Sequence, residues 1–227
     1  MGLMGEGFVI LWHDIAAEAD GAYNAWHTQE HMPERIALPG FLRSRRGLNR
    51  ALDRQHYFTL YEGDTLESFV SPEYQRSLNV PTEWTQRVAP HFRNFQRMAC
   101  ALAYSSGRGV GGALATFRCL FPAGADEALL AGQLQPALEW IAAREGVTGV
   151  HVGVARDSFS GGHTKEIDLR PAMHETPFDI VVIVESIGLA EMDRELAAIE
   201  AELADAGLPG LVAQSYDMAY MLSRADA

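Results

Sequence analysis

The sequence has very little cysteine: Cys100 and Cys119 are the only two in 227 residues. Two cysteines inside apolar runs cannot form a disulfide framework, and such residues usually behave as small buried hydrophobic side chains in a reducing compartment. No apolar run reaches the roughly 18 residues that a membrane span needs, and the first residues lack the basic and apolar regions of a signal peptide. We therefore expect a cytoplasmic protein that does not bind membranes.

Positive charge is also scarce. There are 18 lysine and arginine residues against 30 aspartate and glutamate residues, which gives a net charge of -12, and all the basic residues except Lys165 are arginine. A chain with this charge is repelled by nucleic-acid phosphates and anionic lipid, so nucleic acid is not an expected partner. The sequence also lacks a Walker motif, a Rossmann fingerprint after a strand, a nucleophile elbow and a zinc-ribbon pattern, which disfavours the cofactor classes that carry such signatures.

The first half of the sequence has the pattern β-α-β-β-α-β. Apolar and alternating runs predict strands at residues 8–13, 41–49, 56–62 and 95–104. A helix is predicted from Asp20, and Pro33 should end or kink it because proline cannot donate the next helical hydrogen bond. Residues 64–94 contain three prolines, which favours several short helical pieces over one long helix.

The same order recurs after a glycine-rich linker at residues 105–112. Strands are predicted at residues 114–121, 147–155, 178–185 and 211–222, and helices at 126–144 and 189–206. Pro39-Gly40-Phe41 and Thr148-Gly149-Val150 are expected to occupy equivalent places, at the entry to the second strand of each unit. The chain therefore reads as two tandem units, residues 1–106 and 107–227.

A unit of this kind covers one face of its sheet with two helices and leaves the other face bare. A bare apolar face must find cover, and pairing the two sheets is the economical solution. The predicted fold class is accordingly α+β, with two tandem ferredoxin-like units whose antiparallel sheets pack together as a barrel.

Part of the first unit resembles a known family. Its Tyr23, Trp26, Glu30-His31 and Glu34-Arg35, followed by Pro39-Gly40-Phe41 and Arg45-Arg46, are similar to the helix-to-second-strand signature of the dimeric α/β-barrel superfamily, and the EthD-like branch is the nearest match. The resemblance covers the order of elements along the whole chain, but its residue signature lies only in the first half. It implies a pocket between sheet and helices, with polar groups from the first helix and the second strand.

The resemblance also implies a range of functions. The superfamily includes cofactor-independent monooxygenases that act on phenolic or quinonoid compounds, muconolactone-type isomerases, and haem-degrading and haem-binding proteins. Its members are commonly oligomeric, so a homodimer is an expectation by analogy. This range of activities means that the fold alone does not identify the reaction.

The candidate site is built around two histidines. His27 and His31 are four residues apart, so a helix places both on one face. We predict that His31 acts as an acid or base, that Glu30 orients it and that Arg45 holds an oxyanion or carboxylate. The predicted substrate-binding residues are Tyr23, Trp26, His27, Arg46 and His13.

Two other interpretations of this cluster remain open. Glu30 and Glu34 could pair with Arg45 or Arg46 and fasten the helix to the sheet, which would leave His31 as a satisfied, half-buried histidine. The stretch from His27 to His31 also matches the H-x-x-E-H motif of some zinc peptidases. The β-α-β-β order is wrong for that fold, so we predict no peptidase and assign no metal ligands, while simple metal binding by His27 and His31 stays an open alternative.

The sequence predicts a small-molecule enzyme that acts on a flat phenolic or enolisable compound without a tightly bound organic cofactor, of the monooxygenase or isomerase type. The alternatives are a non-catalytic protein that binds haem or a small metabolite, and a structural protein with a filled interior. Residues 158–176 form a long polar connection that is either a lid or a disordered insertion.

Overall fold

The structure, a computed structural model, describes residues 2–122, 127–160, 162–171 and 177–226. The strands in these residues are β1 Gly7–Ile15, β2 Phe41–Leu48, β3 Tyr57–Gly63, β4 Phe92–Gly107, β5 Ala113–Cys119, β6 Val147–Ala155, β7 Ile180–Ser186 and β8 Val212–Ser223. The α-helices are α1 Asp20–Trp26, α2 Met32–Ile36, α3 Pro72–Asn79, α4 Glu83–Val88, α5 Glu127–Ala142, α6 Lys165–Asp168 and α7 Leu189–Asp205.

The strands form one closed barrel, with the hydrogen-bonded order β1-β3-β2-β8-β5-β7-β6-β4. The β1–β3, β2–β3, β5–β7 and β6–β7 pairs are antiparallel. The predicted α+β fold class with a barrel of antiparallel strands is confirmed. The part of the chain that is described contains no helix long and apolar enough to cross a membrane.

Contacts divide the chain into two compact units. The signature unit, which carries the residues of the family resemblance, holds residues 4–100, 219–226 and the described part of 156–176. The companion unit holds residues 2–3, 177–218 and the described part of 101–155. The predicted linker at 105–112 begins inside β4, which continues to Gly107. The predicted repeat boundary after residue 106 therefore falls at the end of a strand, and it stays a prediction.

The first helix of the signature unit passes through Pro33 instead of ending there. Between α1 and α2 lies a π turn, His27–His31, in which the N–H of Met32 donates to the carbonyl of His27, five residues back. Pro33 then lies in the first turn of α2, where no N–H is needed. The wide turn therefore lets the helical segment run on to Ile36, and π turns of this kind are frequent at functional sites.

The strands β2 and β6 both begin after the same kind of glycine turn. Gly40 and Gly146 both have positive φ, +82° and +79°. The carbonyl of Gly40 accepts the N–H of Asp64 at 2.8 Å, and that of Gly146 accepts the N–H of Ile187 at 2.9 Å. This backbone conformation is one that glycine adopts without a steric penalty.

The sequence predicts that residues 39–41 match residues 148–150, which pairs Gly40 with Gly149. The structure instead pairs Gly40 with Gly146, three residues earlier, so the predicted equivalence is wrong. Phe41 directly follows Gly40 and lies opposite Gly63, just as Val147 directly follows its glycine and lies opposite Ser186. Both strands then shift register, between Phe41 and Arg43 and between Val147 and Gly149. The turn and the register shift thus match Gly40 with Gly146, and the repeated unit stays a prediction.

The companion unit has an apolar core between its helices and its strands. Its buried apolar side chains come from β5, β6, β7, α5 and α7, and the largest contributions include Phe117, Leu138, Ile141, Val182, Ile199 and Leu203. Both cysteines are buried and unpaired, as expected.

We predict that Gly40→Ala lowers the free energy of unfolding by about 2 kcal/mol or more, because alanine disfavours positive φ and its Cβ would collide with the side chain of Ser68. The matched control is Gly21→Ala on α1, where a Cβ meets nothing within 4 Å. That change should be neutral or stabilise by up to about 1 kcal/mol. Urea denaturation measures both, and equal stability of the two variants would contradict the assignment of the turn.

Candidate functional site

A cavity of about 460 Å³ lies within the signature unit, between one face of the sheet and the helical segments. Its size is in the range of ligand pockets, roughly 300–1,000 Å³. The walls come from β1, β3, β4, the π turn, α2, α3 and the connection after β6, at residues 160 and 162–171. The lining residues are Val9, Leu11, His31, Arg35, Tyr61, Tyr74, Leu78, Phe95, Arg97, Ser160, Gly162, Thr164, Glu166, Ile167, Arg170 and Pro171.

The cross-strand register decides which residues of β2 can reach this face of the sheet. Ser44 lies opposite Tyr61, which lines the cavity, whereas Arg45 lies opposite Leu60. Because successive side chains of a strand point to opposite faces, Arg45 and His31 lie on opposite sides of the sheet. The prediction that Arg45 works beside His31 on one ligand does not fit this geometry.

Arg45 and Arg43 instead share the buried carboxylate of Glu62. Arg43 donates to Glu62 through Nε at 2.9 Å and Nη2 at 2.7 Å, and Nε of Arg45 lies 3.0 Å from Glu62 Oε1. The backbone N–H of Met4 also donates to Glu62 at 2.7 Å. This pairing gives Arg45 a structural partner and satisfies the charge of Glu62.

His31 is the one histidine among the described residues that line the cavity. Its side chain is buried, and its Nδ1 has no hydrogen-bond partner in the described part of the chain. Its ring packs on Trp26, with 4.2 Å between the ring centroids. Burial, followed by the charges of Arg35 and Arg170, lowers the pKa of His31 well below its usual value, so the imidazole is neutral at pH 7.

His27 contacts both Arg46 and Tyr61. Nη1 of Arg46 lies 3.3 Å from His27 Nδ1, and its Nη2 donates to Thr28 at 2.9 Å. A guanidinium only donates, so His27 Nδ1 accepts and its proton is on Nε2, which lies 3.4 Å from the hydroxyl oxygen of Tyr61. Burial raises the pKa of Tyr61, so its hydroxyl keeps its proton and can donate to a ligand.

This arrangement leaves little room for a metal ion between the two histidines. Both ring nitrogens of His27 already have partners, and one of those partners is the cation Arg46. Within the described ranges, no group of three histidine, cysteine, aspartate or glutamate side chains could hold a metal ion.

Glu166 ties the long connection after β6 to the first helical segment. Its side chain is 3% exposed, and its two carboxylate oxygens each lie 2.6 Å from an arginine, Oε2 from Arg35 Nη2 and Oε1 from Arg170 Nη2. The guanidinium of Arg170 also lies over the ring of Phe95, 4.2 Å from its centroid. The described part of the predicted lid or insertion therefore forms one wall of the cavity, while residues 161 and 172–176 lie outside the described residues.

The other predicted site residues lie around the cavity without lining it. His13 accepts or donates a hydrogen bond with Tyr23 at 2.9 Å, and burial together with Arg170 lowers its pKa to about 3. Trp26 donates to Thr85 at 3.2 Å, and Thr82 donates to Glu30 at 2.5 Å. Glu30 thus has Thr82 as a hydrogen-bond partner, and its predicted role in orienting His31 stays a prediction.

Sequence reasoning missed most of the polar residues that line the cavity. The missed residues include Tyr74, Arg97, Glu166 and Arg170, whereas Tyr61 is considered only as an aromatic wall or core residue and Arg35 appears only as part of the resemblance. Glu166 and Arg170 are spaced i,i+4, the one local signal that could have marked a pair. The contact of Glu166 with Arg35 joins residues 131 positions apart, and no sequence pattern predicts it.

Known proteins resemble this chain in structure but not in sequence. No protein-family model and no curated protein matches the sequence. A Fusobacterium nucleatum protein provisionally described as a monooxygenase aligns with a TM-score of 0.60 at 10% identity, over 97% of this chain and 96% of that one. An anthrone oxidase-like protein aligns with a TM-score of 0.62 at 12% identity, over 96% and 92%.

A mutant chlorite dismutase from Candidatus Nitrospira defluvii also aligns, with a TM-score of 0.59 at 9% identity over 94% of this chain and 91% of that one. At such low identity these three likenesses establish a shared fold and nothing further.

We predict that Glu166→Gln lowers the free energy of unfolding by about 3 kcal/mol, because the change leaves two arginines without their carboxylate in a buried place. The matched control is Glu83→Gln, which removes an exposed carboxylate 4.0 Å from Arg87 and should cost at most about 0.5 kcal/mol. Denaturant titration measures the difference, and equal losses in the two variants would show that the Glu166 network does not hold the wall in place.

Proposed function

Since the chain has the fold of the dimeric α/β-barrel superfamily, we propose that it is a small-molecule enzyme that removes a proton from a flat phenolic or enolisable compound. The reaction would be that of a cofactor-independent monooxygenase or an isomerase. The observation that carries the proposal is the buried imidazole of His31 at the wall of a cavity of about 460 Å³, where burial keeps the ring neutral.

In this proposal His31 is the base. Burial and the two nearby arginines keep its imidazole neutral, so it holds the lone pair that proton abstraction needs throughout the neutral range. The same surroundings disfavour the imidazolium that forms after abstraction. His31 would therefore give the proton up readily, either to another atom of the substrate or to solvent.

Arg35 and Arg170 would stabilise the charge that develops on the substrate. Both line the cavity, and both act on His31 through their charges. Their guanidinium groups are held by Glu166 before any ligand arrives, so they need little reorganisation when an enolate or phenolate forms. They take the role that the sequence analysis assigned to Arg45.

Tyr61 would supply a hydrogen bond to the same oxygen of the substrate. Its hydroxyl lines the cavity and lies against Nε2–H of His27, whose tautomer Arg46 sets. An enolate held in this way either takes a proton at a new position, which is isomerisation, or donates electrons to O2, which is oxygenation. His27 and Arg46 thus act by positioning and do not touch the substrate.

We expect His31→Gln to lower the rate of deuterium uptake and oxygen consumption with anthrone, an enolisable tricyclic compound, by at least about 100-fold. The matched control is His91→Gln, which changes a histidine that pairs with Glu18 at 3.8 Å outside the cavity, and it should keep the wild-type rate. A His31→Gln variant as fast as the wild type would contradict the proposal.

The pH dependence gives a second readout of the same experiment. The pKa of His31 is lowered, so the base form persists as the pH falls below 6.5, and kcat/KM should stay level through pH 6 before it drops in acid. An acid limb with a midpoint at or above pH 6.5 would show that His31 is not the base or is not desolvated.

Haem binding is the second candidate function. The observation that favours it is again His31, because a neutral imidazole is the form that binds haem iron. The cavity of about 460 Å³, however, is shared by four charged side chains, Arg35, Arg97, Arg170 and Glu166, which favours a smaller ligand.

We therefore expect that haemin gives no Soret band that depends on His31. Titration of the wild type, His31→Gln and His91→Gln with haemin would measure this dependence. A band present in the wild type and His91→Gln but lost in His31→Gln would replace the enzyme proposal by the haem-binding one.

The expectations about family branch, localisation and oligomeric state also stay proposals. We assign the protein to the EthD-like branch by its signature residues, to the cytoplasm because both cysteines are buried thiols, and to a homodimer by analogy with the superfamily.

A further inference from the structure

Arg97 on β4 lines the cavity with a positive charge that none of its contacts neutralises. Its Nη1 donates to the backbone carbonyl of Ser160, and its Nη2 lies 3.5 Å from the hydroxyl of Tyr74. Both partners are uncharged. Within the described ranges of the chain, no carboxylate lies within ion-pair distance of this guanidinium.

The charges on the cavity wall do not balance. The described lining residues include three arginines and one glutamate, and the carboxylate of Glu166 is already shared between Arg35 and Arg170. The nearby carboxylate of Glu34 lies 3.4 Å from Arg35 and not beside Arg97. A surplus of positive charge in a cavity is notable in a protein whose net charge is -12, and it attracts an anionic ligand.

The rest of the wall fits a flat ring. Apolar side chains of β1, α3 and β4 line the cavity, namely Val9, Leu11, Leu78 and Phe95, and Tyr74 adds a second aromatic ring beside Arg97. An apolar enclosure with a few fixed polar groups is the usual design of a small-molecule site, in which the polar groups orient the ligand.

We propose that the substrate is an aromatic or enolisable carboxylate whose permanent negative charge binds Arg97 while its reacting atom lies at His31. This inference rests on the proposed function. A guanidinium can bind a carboxylate through two parallel hydrogen bonds, which fixes the orientation of the ring as well as its position. Arg97 would thus bind the permanent negative charge of the substrate. Arg35 and Arg170 would stabilise the negative charge that develops on the substrate during the reaction.

Arg97 suits the permanent charge better than the other two arginines do. A ligand carboxylate at Arg35 or Arg170 would compete with Glu166, whose oxygens lie 2.6 Å from each of them, and would be repelled by it. At Arg97 the partners are a carbonyl and a phenol, so an incoming carboxylate displaces no ion pair. The assignment therefore follows from which arginine lacks a negative partner in the described residues.

The test uses pairs of compounds that differ only in charge. Benzoate and benzamide, salicylate and salicylamide, and 1-hydroxy-2-naphthoate and its amide are titrated into the full chain, with binding followed by calorimetry at pH 7. We expect the wild type to bind the carboxylate at least about 10-fold more tightly than the amide in one or more pairs, as for a charge-assisted hydrogen bond.

Variants then identify the residue that causes this preference for the carboxylate. Arg97→Gln should abolish it and weaken the carboxylate alone, while Arg97→Lys should keep at least about a third of it because the charge remains. The matched control is Arg93→Gln, which removes an exposed arginine of the same strand that donates to the carbonyls of Pro90 and Phe92, and it should keep the full preference. If no pair shows a preference, or if Arg97→Gln retains it, the inference is wrong.

His31→Gln separates this inference from the proposed function. The variant should lose turnover and still prefer the carboxylate, because the base does not bind the permanent charge. A carboxylate preference that depends on Arg97, together with turnover that is unaffected by His31→Gln, would sustain the recognition site and reject the base. Turnover that depends on His31 without any carboxylate preference would do the reverse.

Discussion

One buried carboxylate, Glu166, holds the candidate site together. It binds Arg35 of the first helical segment and Arg170 of the connection after β6, each at 2.6 Å, in a place with almost no solvent. Glu166 therefore links the connection after β6 to the first helical segment at one wall of the cavity.

Burial and the same ion-pair network together set the chemistry of His31. Burial disfavours a positive charge on the imidazole, the two fixed guanidinium groups add to this effect, and the pKa of His31 is lowered so that the ring stays neutral. The site therefore combines a neutral base with cations ready to receive negative charge, a combination suited to removing a proton from an acidic carbon or hydroxyl. Arg97 adds a cation that Glu166 does not bind. In the proposed site Arg97 therefore binds the carboxylate of the substrate, while His31 acts at the reacting atom.

The sequence predicted the order of elements, the barrel of antiparallel strands and His31, because these depend on local periodicity and on a signature within one helix. It failed in β2, where one extra residue changes which side chains point to each face of the sheet. Strict alternation from Phe41 would place Arg45 toward the helices, but the bulge between Phe41 and Arg43 shifts the phase, so Arg46 faces them and Arg45 does not. The contact between Glu166 and Arg35 could not be predicted either, because the two residues are far apart in sequence and only the folded chain brings them together.

The central claim is that burial and two arginines hold His31 neutral at the cavity wall. Nitrogen-15 NMR of the imidazole of His31, assigned with the His31→Gln variant, measures its protonation directly across pH 5 to 8. The account predicts the chemical shifts of a neutral ring over this whole range in the free protein. A titration with a midpoint at or above pH 6.5 would contradict it.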